Sequence, residues 1–588
     1  MIPVGMRDPG SGIGSGIRGC REGAESKRRA PNAERRTTLP RTTPGRASSA
    51  IYNRCVLSAA AESFTDEERR RLAPYFTNLD GHVFALVNLP ETVKGALFAR
   101  YSRSAKSLRR LFLDEFHKDV PDGAAPQPHV GAARAEQLYA RVFNEYGDDS
   151  VAQLGGAHVA CEYVSNILTK VLERGRLMAY LEQSTRYVPY TDKLHGQFRY
   201  HVPVELGHTA LRDRYVRTMD AGFETYTRLI PVMQEYFARR HPRSAADSEG
   251  VHRAAIRAKA LDTLRGMLPA ATQSNVGIYG SGQAYEALIL RMRAHPLAEV
   301  RACADAMLIE LRKVIPAFLA RVDVPERGGR WTGYLKEIRE RIEDLSGTLG
   351  ESDPEPRPEV SLTGFDPDGE VKVIAAALYP ASNLPDDQLL AVAQRLSLEA
   401  RGQVLRAAIG ERANRRHRPG RAFERTSYRF DVLTDYGAFR DLQRHRLLTI
   451  EWQRFTPAHG YNEPEAIADA GVLEDWRGVV EQSADLYEAI AAGGWKSEAA
   501  YAVAMAYRVR FCMEMNAREA MHVIELRTAP QGHPAYRRVC QEMHRLIADE
   551  AGHRAIAAAM QFADHSQVEL ERLGAERALE AKRRPLHE

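Results

Sequence analysis

Two arginine-rich segments carry the strongest chemical signal in this chain. The first reads Arg174-Gly-Arg176-Leu-Met-Ala-Tyr-Leu-Glu182-Gln-Ser184-Thr-Arg186-Tyr187, and the second reads Arg444-His445-Arg446-Leu-Leu-Thr-Ile-Glu-Trp-Gln-Arg454-Phe-Thr456. Guanidinium groups stay charged at any working pH, and their planar fork grips phosphate at two points, so such segments suit anionic ligands. Each segment keeps what the other lacks: Gly175 stands opposite His445, and Arg454 and Thr456 stand opposite Ser184 and Arg186. Ser184 has no Gly-x-Ser-x-Gly elbow around it and no His and Asp following in an activating arrangement, so it does not read as a hydrolase nucleophile.

Both segments resemble the signature of the flavin-dependent thymidylate synthases (the ThyX family), which is Arg-His-Arg, seven residues, Ser, then x-Arg-Tyr. The resemblance implies a tandem duplication whose halves have diverged. Further matches are collinear: Arg265-Gly-Met-Leu-Pro269 resembles the family's Arg-x-x-Leu-Pro element, and Leu290-Arg291, His295 and Glu299-Val-Arg301 resemble its late Leu-Arg helix. In the second half Phe423-Glu424, Asn516-Ala-Arg518 and Leu526-Arg527 match family elements in the same order.

What the resemblance implies is an enzyme that methylates dUMP, or a related pyrimidine nucleotide, with a folate carbon donor and a flavin hydride. FAD is the implied cofactor, with NADPH and methylene-tetrahydrofolate as co-substrates. The implied nucleotide-binding residues are Glu182, Ser184, Arg186, Arg265 and Arg291, with Ser184 and Arg186 at the catalytic end. The implied cofactor-binding residues are Arg174, Arg176, His295, Arg444, His445, Arg446, Asn516 and Arg518. Nucleotide contacts thus fall mainly to the first half and flavin contacts to the second. Family sites lie at subunit interfaces of a homotetramer, so a duplicated chain implies a homodimer forming a pseudo-tetramer. The departures, among them Leu181 for a flavin-contacting Asn, Trp452 for Glu and Thr456 for Arg, leave a second reading open. In that reading the chain is a catalytically degenerate nucleotide-binding or scaffolding homologue.

The elements that must position these residues read as α+β: two tandem copies of the family's fold, predominantly helical with a small sheet in each. A chain of 588 residues is too long for one core. Residues 1–57 form an Arg/Ser/Gly-rich tail expected to be disordered. The first domain covers 58–344, a Pro- and Gly-rich linker 345–369, and the second domain 370–588. Short apolar runs predict strands at His82–Asn88 and Val371–Tyr379, and helical spacing predicts helices over Leu97–Phe116 and Leu297–Val322. Gly277-Ile-Tyr-Gly280-Ser-Gly282 is expected to shape a turn, and Glu550-Ala-Gly-His553 to lie on an amphipathic helix surface. Arg416-His417-Arg418 lacks the trailing pattern and is set aside as a flavin clamp.

The six cysteines are scattered without zinc spacing, and no metal site is expected. A net charge of +5 is mild for this length, so nucleic acid is not an expected partner. No apolar run approaches the roughly 20 residues that span a bilayer, and no signal-peptide order appears at the start, so the expected location is cytoplasmic. Without a strand-linked Gly-x-Gly-x-x-Gly or a Walker loop, Rossmann dehydrogenase and P-loop ATPase are excluded.

Overall fold

Four times in this chain a strand ends on a residue that caps the helix behind it, and these junctions organise the architecture. The computed structural model describes residues 62–81, 84–101, 104, 106–117, 134–135, 153–184, 186, 188–349 and 355–583. The expected tail, together with Thr185 and Tyr187 of the first signature, lies outside them. Strand β1 (Gly156–Ser165) leads into α3 (Asn166–Leu172), numbered after the preceding helices α1 (Asp66–Leu72) and α2 (Glu91–Tyr101). Strand β2 (Met178–Glu182) follows, then α4 (Ala210–Arg240), α5 (Glu249–Leu264), β3 (Gln273–Ser281), α6 (Gly282–Arg293), α7 (Ala298–Arg312) and α8 (Arg330–Thr348). After them come β4 (Val360–Phe365), α9 (Gly369–Leu378), β5 (Ser427–Asp435), α10 (Tyr436–Leu442), β6 (Thr449–Trp452), α11 (Leu473–Ala492), β7 (Arg508–Asn516), α12 (Ala517–Arg527) and α13 (Pro534–Asp549).

At the ends of β1, β3, β5 and β7 the last residue is Ser165, Ser281, Asp435 or Asn516, and each side chain accepts the backbone N–H three residues on. These residue types are the ones that satisfy the orphan donors of a helix start. The two larger sheets share one order: β3 lies between β1 and β2, and β7 lies between β5 and β6, all antiparallel, with β4 added at the edge of the second. From Ser63 onward the chain forms one compact unit.

The halves join through reciprocal backbone bonds about the bridge Pro269–Ala504. Ala270 N–H donates to Val503 O at 2.8 Å and Met505 N–H to Leu268 O at 2.9 Å; farther out, Ala271 N–H donates to Tyr501 O at 3.0 Å and Ala506 N–H to Gly266 O at 2.9 Å. Around this seam α4 buries Tyr215, Met219, Phe223, Tyr226, Met233 and Phe237 at helical spacing, and α11 buries Trp476, Val480, Leu486 and Ile490. The two helices pack together, with Gly222 facing Val479.

Several sequence expectations are corrected. Val371–Tyr379 is not a strand: Val371–Leu378 belongs to α9, which buries Val371, Val373, Ile374 and Ala375, and alanine-rich composition with packing of that face outweighs a short apolar run. The strand sits earlier, at β4, and α8 continues to Thr348, so both enter the expected 345–369 linker. Within His82–Asn88, the described residues give only an isolated bridge from Leu86 to Phe76. The helix expected over Leu97–Phe116 ends at Tyr101, and a separate turn starts at Leu108 under the Ser107 cap. The span Leu297–Val322 is helical to Arg312 and breaks before Pro316. The signature segments contain strands β2 and β6. Gly280 belongs to β3 rather than a turn, where a Cβ would lie 2.5 Å from Met178 Cε. His553 is buried behind the end of α13 and bonds Tyr428, rather than lying on a helix surface.

Candidate functional site

The two signature segments face each other across the seam and exchange equivalent contacts. Arg446 donates to Met178 O, and Arg176 donates to Leu448 O at 3.3 Å and Thr449 Oγ1 at 3.0 Å. Arg444 bonds Glu182, while Arg174 bonds Glu451 and lies 5.2 Å over the Trp452 ring. The Glu182 side chain is wholly inaccessible and also accepts from Arg440 at 2.8 Å and Lys170 at 3.2 Å, with Glu173 completing the network around Lys170. Burial alone would raise the Glu182 carboxyl, but Arg440, Lys170 and Arg444 hold it well below the usual carboxylate range. Three cations from both halves share this one buried carboxylate, so Glu182 acts as the electrostatic rivet of the seam.

On one side of this rivet, cations from both halves converge. Arg186 grips Asp262 through Nε at 2.9 Å and Nη2 at 2.7 Å, and its Nη1 donates to Tyr536 Oη at 3.2 Å. Arg265 reaches Asp441 at 3.7 Å, and Arg527 reaches the other Asp441 oxygen at 3.6 Å. Arg265 is 4% exposed, and its Nη2 has no hydrogen-bond partner. It lines a cavity of about 650 Å³ together with Lys259, Asp262, Asp435, His533 and Arg538. A buried guanidinium with an unanswered N–H is a costly feature that an anionic ligand would relieve. Ser184 Oγ accepts the backbone N–H of Arg186 at 3.2 Å, which fixes the loop that carries that arginine.

Next to Arg527 lies His445. Arg527 Nε donates to His445 Nε2 at 2.9 Å, and His445 Nδ1 lies 3.6 Å from Glu519 Oε1. Arginine only donates, so His445 Nε2 is the acceptor and its proton sits on Nδ1, facing Glu519. His522, 5.3 Å from His445 by ring centroids, meets Arg418 Nη2 through Nδ1 at 2.8 Å. Burial, Arg527, His522 and Arg418 keep the His445 ring well below its ordinary value, hence neutral. Burial pushes Glu519 up to about 7, against the pull of Arg418, Arg518 and Arg446. His445, Glu519 and His522 have the proximity of a metal ligand set. The arginines occupy the imidazole acceptor nitrogens, however, and the surrounding charge favours an anion over a cation.

The remaining expected residues fall into place around these groups. Asn516 caps α12 by accepting Glu519 N–H at 2.9 Å, and Arg518 donates to Pro419 O at 2.9 Å and approaches Glu424 at 3.7 Å. Arg291 does not join Arg186 and Arg265; it is half-buried near Arg174 and Tyr180, where burial and Arg174 depress its pKa. His295 is in the same neighbourhood, held down to about 4 by burial, Arg339, Arg301 and Arg174. Lys170, Arg440, Asp262, Asp441, Glu519, His522 and Tyr536 carry no motif match along the chain, and Arg418 lies in an Arg-His-Arg triplet without the trailing pattern. A signal existed for two of them, since Glu519 and His522 share one helix face just after the Asn-x-Arg element.

A sequence profile for the family described as Thymidylate synthase complementing protein matches residues 96–317 and 365–551. A UPF0159 protein of Chlamydia pneumoniae is 38% identical over 523 residues, covering 88% of this chain and 98% of its own length. A UPF0159 protein of Thermoplasma acidophilum is 30% identical over 511 residues, covering 82% and 97%. A flavin-dependent thymidylate synthase of Clostridium tetani is 29% identical over 174 residues, which is 29% of this chain and 64% of that protein. Among solved structures, the UMP/dUMP methylase PolB from Streptomyces cacaoi, bound with 5-Br dUMP, has 19% identity and a TM-score of 0.26, covering 34% of this chain and 94% of its own.

Proposed function

This chain belongs to the thymidylate synthase complementing protein family, and from that premise we propose that it methylates a uracil nucleotide at a single composite site shared by its two halves. The observation that carries the proposal is the convergence of Arg186 and Arg265 from the first half with Arg527 from the second, where Arg265 keeps a buried, unpartnered N–H. In this reading Arg186, Arg265 and Arg527 hold the nucleotide phosphate, which displaces Asp262 and Asp441 as their counterions. Tyr536 Oη, bonded to Arg186, orients that guanidinium.

The family's cofactor, FAD, fits the opposite edge of the same cluster. Arg418, Arg446 and Arg518 outnumber Glu519 there, and neutral His445 and His522 offer planar polar surfaces. These residues with Asn516 would hold it. When bound, the flavin supplies the hydride that completes the transfer of a folate-borne one-carbon unit, with NADPH as the reductant. The chain's part is to bind and orient: Arg527 locks His445 in the tautomer that carries its proton on Nδ1, and Glu519 beside it, pushed up to about 7 by burial, can take up or release a proton near neutral pH.

The two-copy reading of residues 58–344 and 370–588 is supported by the shared strand order, the four capped junctions and the reciprocal bonds about Pro269–Ala504. A homodimer and a cytoplasmic location remain part of the proposal. The deciding experiment is purification with spectroscopic identification of flavin, followed by tritium release from labelled dUMP with NADPH and methylene-tetrahydrofolate. The degenerate, binding-only reading draws on the bidentate Arg186–Asp262 pair, which already satisfies that arginine. Colourless protein that takes up no added flavin yet binds dUMP would establish that reading and overturn the enzyme.

A further inference from the structure

Two buried N–H donors of one cavity wall have no hydrogen-bond partner among the described residues. Arg265, 4% exposed, leaves Nη2 unanswered, and Trp476 of α11, wholly buried, leaves Nε1 unanswered. Both residues line the cavity of about 650 Å³, a size ordinary for a small-molecule site. The wall between them is continuous. Gly266 follows Arg265, Ala506 N–H donates to Gly266 O at 2.9 Å, Asn462 N–H donates to Ala506 O at 3.0 Å, and Tyr461 meets the Trp476 ring edge-on at 5.7 Å. A Cβ on Gly437, in the same wall, would lie 3.0 Å from Arg265 Nη2, which sets that N–H at the cavity's edge. An unmet buried donor is costly, and one ligand with an acceptor at either end answers both.

The opposite side of the seam shows what shape fills such a space. Ala271 N–H donates to Tyr501 O as Ala506 N–H donates to Gly266 O, and His201 N–H donates to Ala271 O as Asn462 N–H donates to Ala506 O. The two-fold relation of these bonds sets Gly266 in the place of Tyr501 and Asn462 in the place of His201. Across the seam the Tyr501 ring is buried 4.8 Å from the His201 ring, and its Oη donates to Glu299 at 2.7 Å. Gly266 contributes no ring, and the cavity stands over it. At the buried end the acids are answered within the fold: Asp262 by Arg186 at 2.7 Å, Glu571 by Lys259 at 2.6 Å and Asp435 by Ala438 N–H at 2.9 Å. Glu465, Asp469 and Glu569 lie exposed at the rim. The charge left to meet a ligand is that of Arg265, whose partner Asp441 is 3.7 Å away.

We infer that this cavity is a second ligand site, for a small planar aromatic anion. Its acid group meets Arg265 Nη2, its ring takes the space that the Tyr501 phenol takes across the seam, and an oxygen at its far end accepts from Trp476 Nε1. The site itself is independent of the nucleotide reading, but its coupling to the nucleotide rests on that reading. The phosphate displaces Asp441 and so takes the Nη1 edge of Arg265, while the second ligand takes the Nη2 edge. Two anions on one guanidinium oppose each other, so the second ligand is inhibitory, and the effect is reciprocal.

The test uses the full-length protein labelled with fluorotryptophan, whose four tryptophans give four fluorine resonances, that of Trp476 being identified by its loss in Trp476→Phe. The probes are para-hydroxybenzoate and para-hydroxyphenyl phosphate, and the tighter of the two identifies the acid group. Either is expected to move the Trp476 resonance to saturation and to leave that of Trp452, on the other face, in place. Trp476→Phe keeps a ring but loses the N–H, and should weaken the probe about tenfold while dUMP affinity stays within about twofold. Ala506→Leu, which fills the space over Gly266 and keeps both donors, should block the probe as well. In wild type, saturating probe should weaken dUMP by a finite factor. A Trp476 resonance unmoved by both probes, or probe affinity unchanged in both variants, would overturn the inference. So would dUMP itself moving the Trp476 resonance and excluding the probe outright, which would make the cavity the nucleotide's own. Probe binding without any dUMP binding would leave the second site standing and remove the nucleotide reading instead.

Discussion

The two faces of the seam are built from comparable elements and stand in opposite states. On one face His445, Glu519, His522 and Arg527 of the second half meet Arg186 and Arg265 of the first. On the other, Gly175 replaces the histidine, and a Cβ there would lie 2.5 Å from Tyr180 Oη, so that tyrosine fills the volume an imidazole would need. Counted from the capping residues Ser281 and Asn516, Ala284 and Ala287 stand where the second half has Glu519 and His522. Arg454, in the place of Ser184, is held by Glu343 of α8. One face thus keeps desolvated ionisable groups with an unanswered donor, while the other is filled by side chains and spanned by the connecting helix. In the proposed two-copy reading, one copy of each part suffices for a site, and the other copy serves packing.

The largest effect is expected at the rivet between the faces. Glu182→Ala removes the carboxylate that neutralises Arg440, Arg444 and Lys170, and breaking a buried ion network from one side costs about 3–5 kcal/mol. Urea denaturation measures it, and a loss below 1 kcal/mol would mean that the halves are held by their apolar and backbone contacts alone. Because the folded-state pKa of Glu182 is depressed, its contribution is present above the unfolded carboxylate pKa and disappears as pH falls through the folded value.

Arg265→Ala and Arg527→Ala should each weaken dUMP binding by about 1.5–3 kcal/mol, the range of a charge-assisted hydrogen bond. Arg291→Ala, on the filled face, should leave it nearly unchanged. Calorimetric titration of the three variants decides between the faces, and equal losses at Arg291 and Arg265 would break the comparison.

Exchanging the signature residue sharpens it further. Gly175→His forces a ring into the space of Tyr180 and should destabilise the fold by about 1–3 kcal/mol. His445→Gly should chiefly abolish flavin retention, read from the visible spectrum, while leaving dUMP affinity within about twofold. Flavin retained at wild-type occupancy would remove His445 from the cofactor's contacts.

The smallest effect is a pH slope. Glu519 titrates near 7 in the folded protein, so it binds its proton more tightly folded than unfolded. Its contribution to stability is full below the unfolded pKa and is lost as pH rises toward 7. Wild type should therefore lose stability relative to Glu519→Gln between about pH 4.5 and 7, and parallel curves for the two proteins would contradict the burial argument.

Much of this was legible along the chain. Arg-His-Arg beside a lost serine, and Ser-x-Arg beside a lost histidine, named the family, because motif spacing is a local property. The capping residues Ser165, Ser281, Asp435 and Asn516 were equally available, since a cap needs only its own helix start. Strand identity was not: Val371–Tyr379 reads as strand or helix by apolar run alone, and packing of its buried face decided for helix. Nor could spacing show that Glu182 would be sealed among three cations, that Arg527 rather than Arg291 would face Arg186 and Arg265, or that Arg418 would reach His522. Those partners lie far apart in sequence, and electrostatic partnership depends on distance in space and on burial, which are fixed only when the two halves fold against each other.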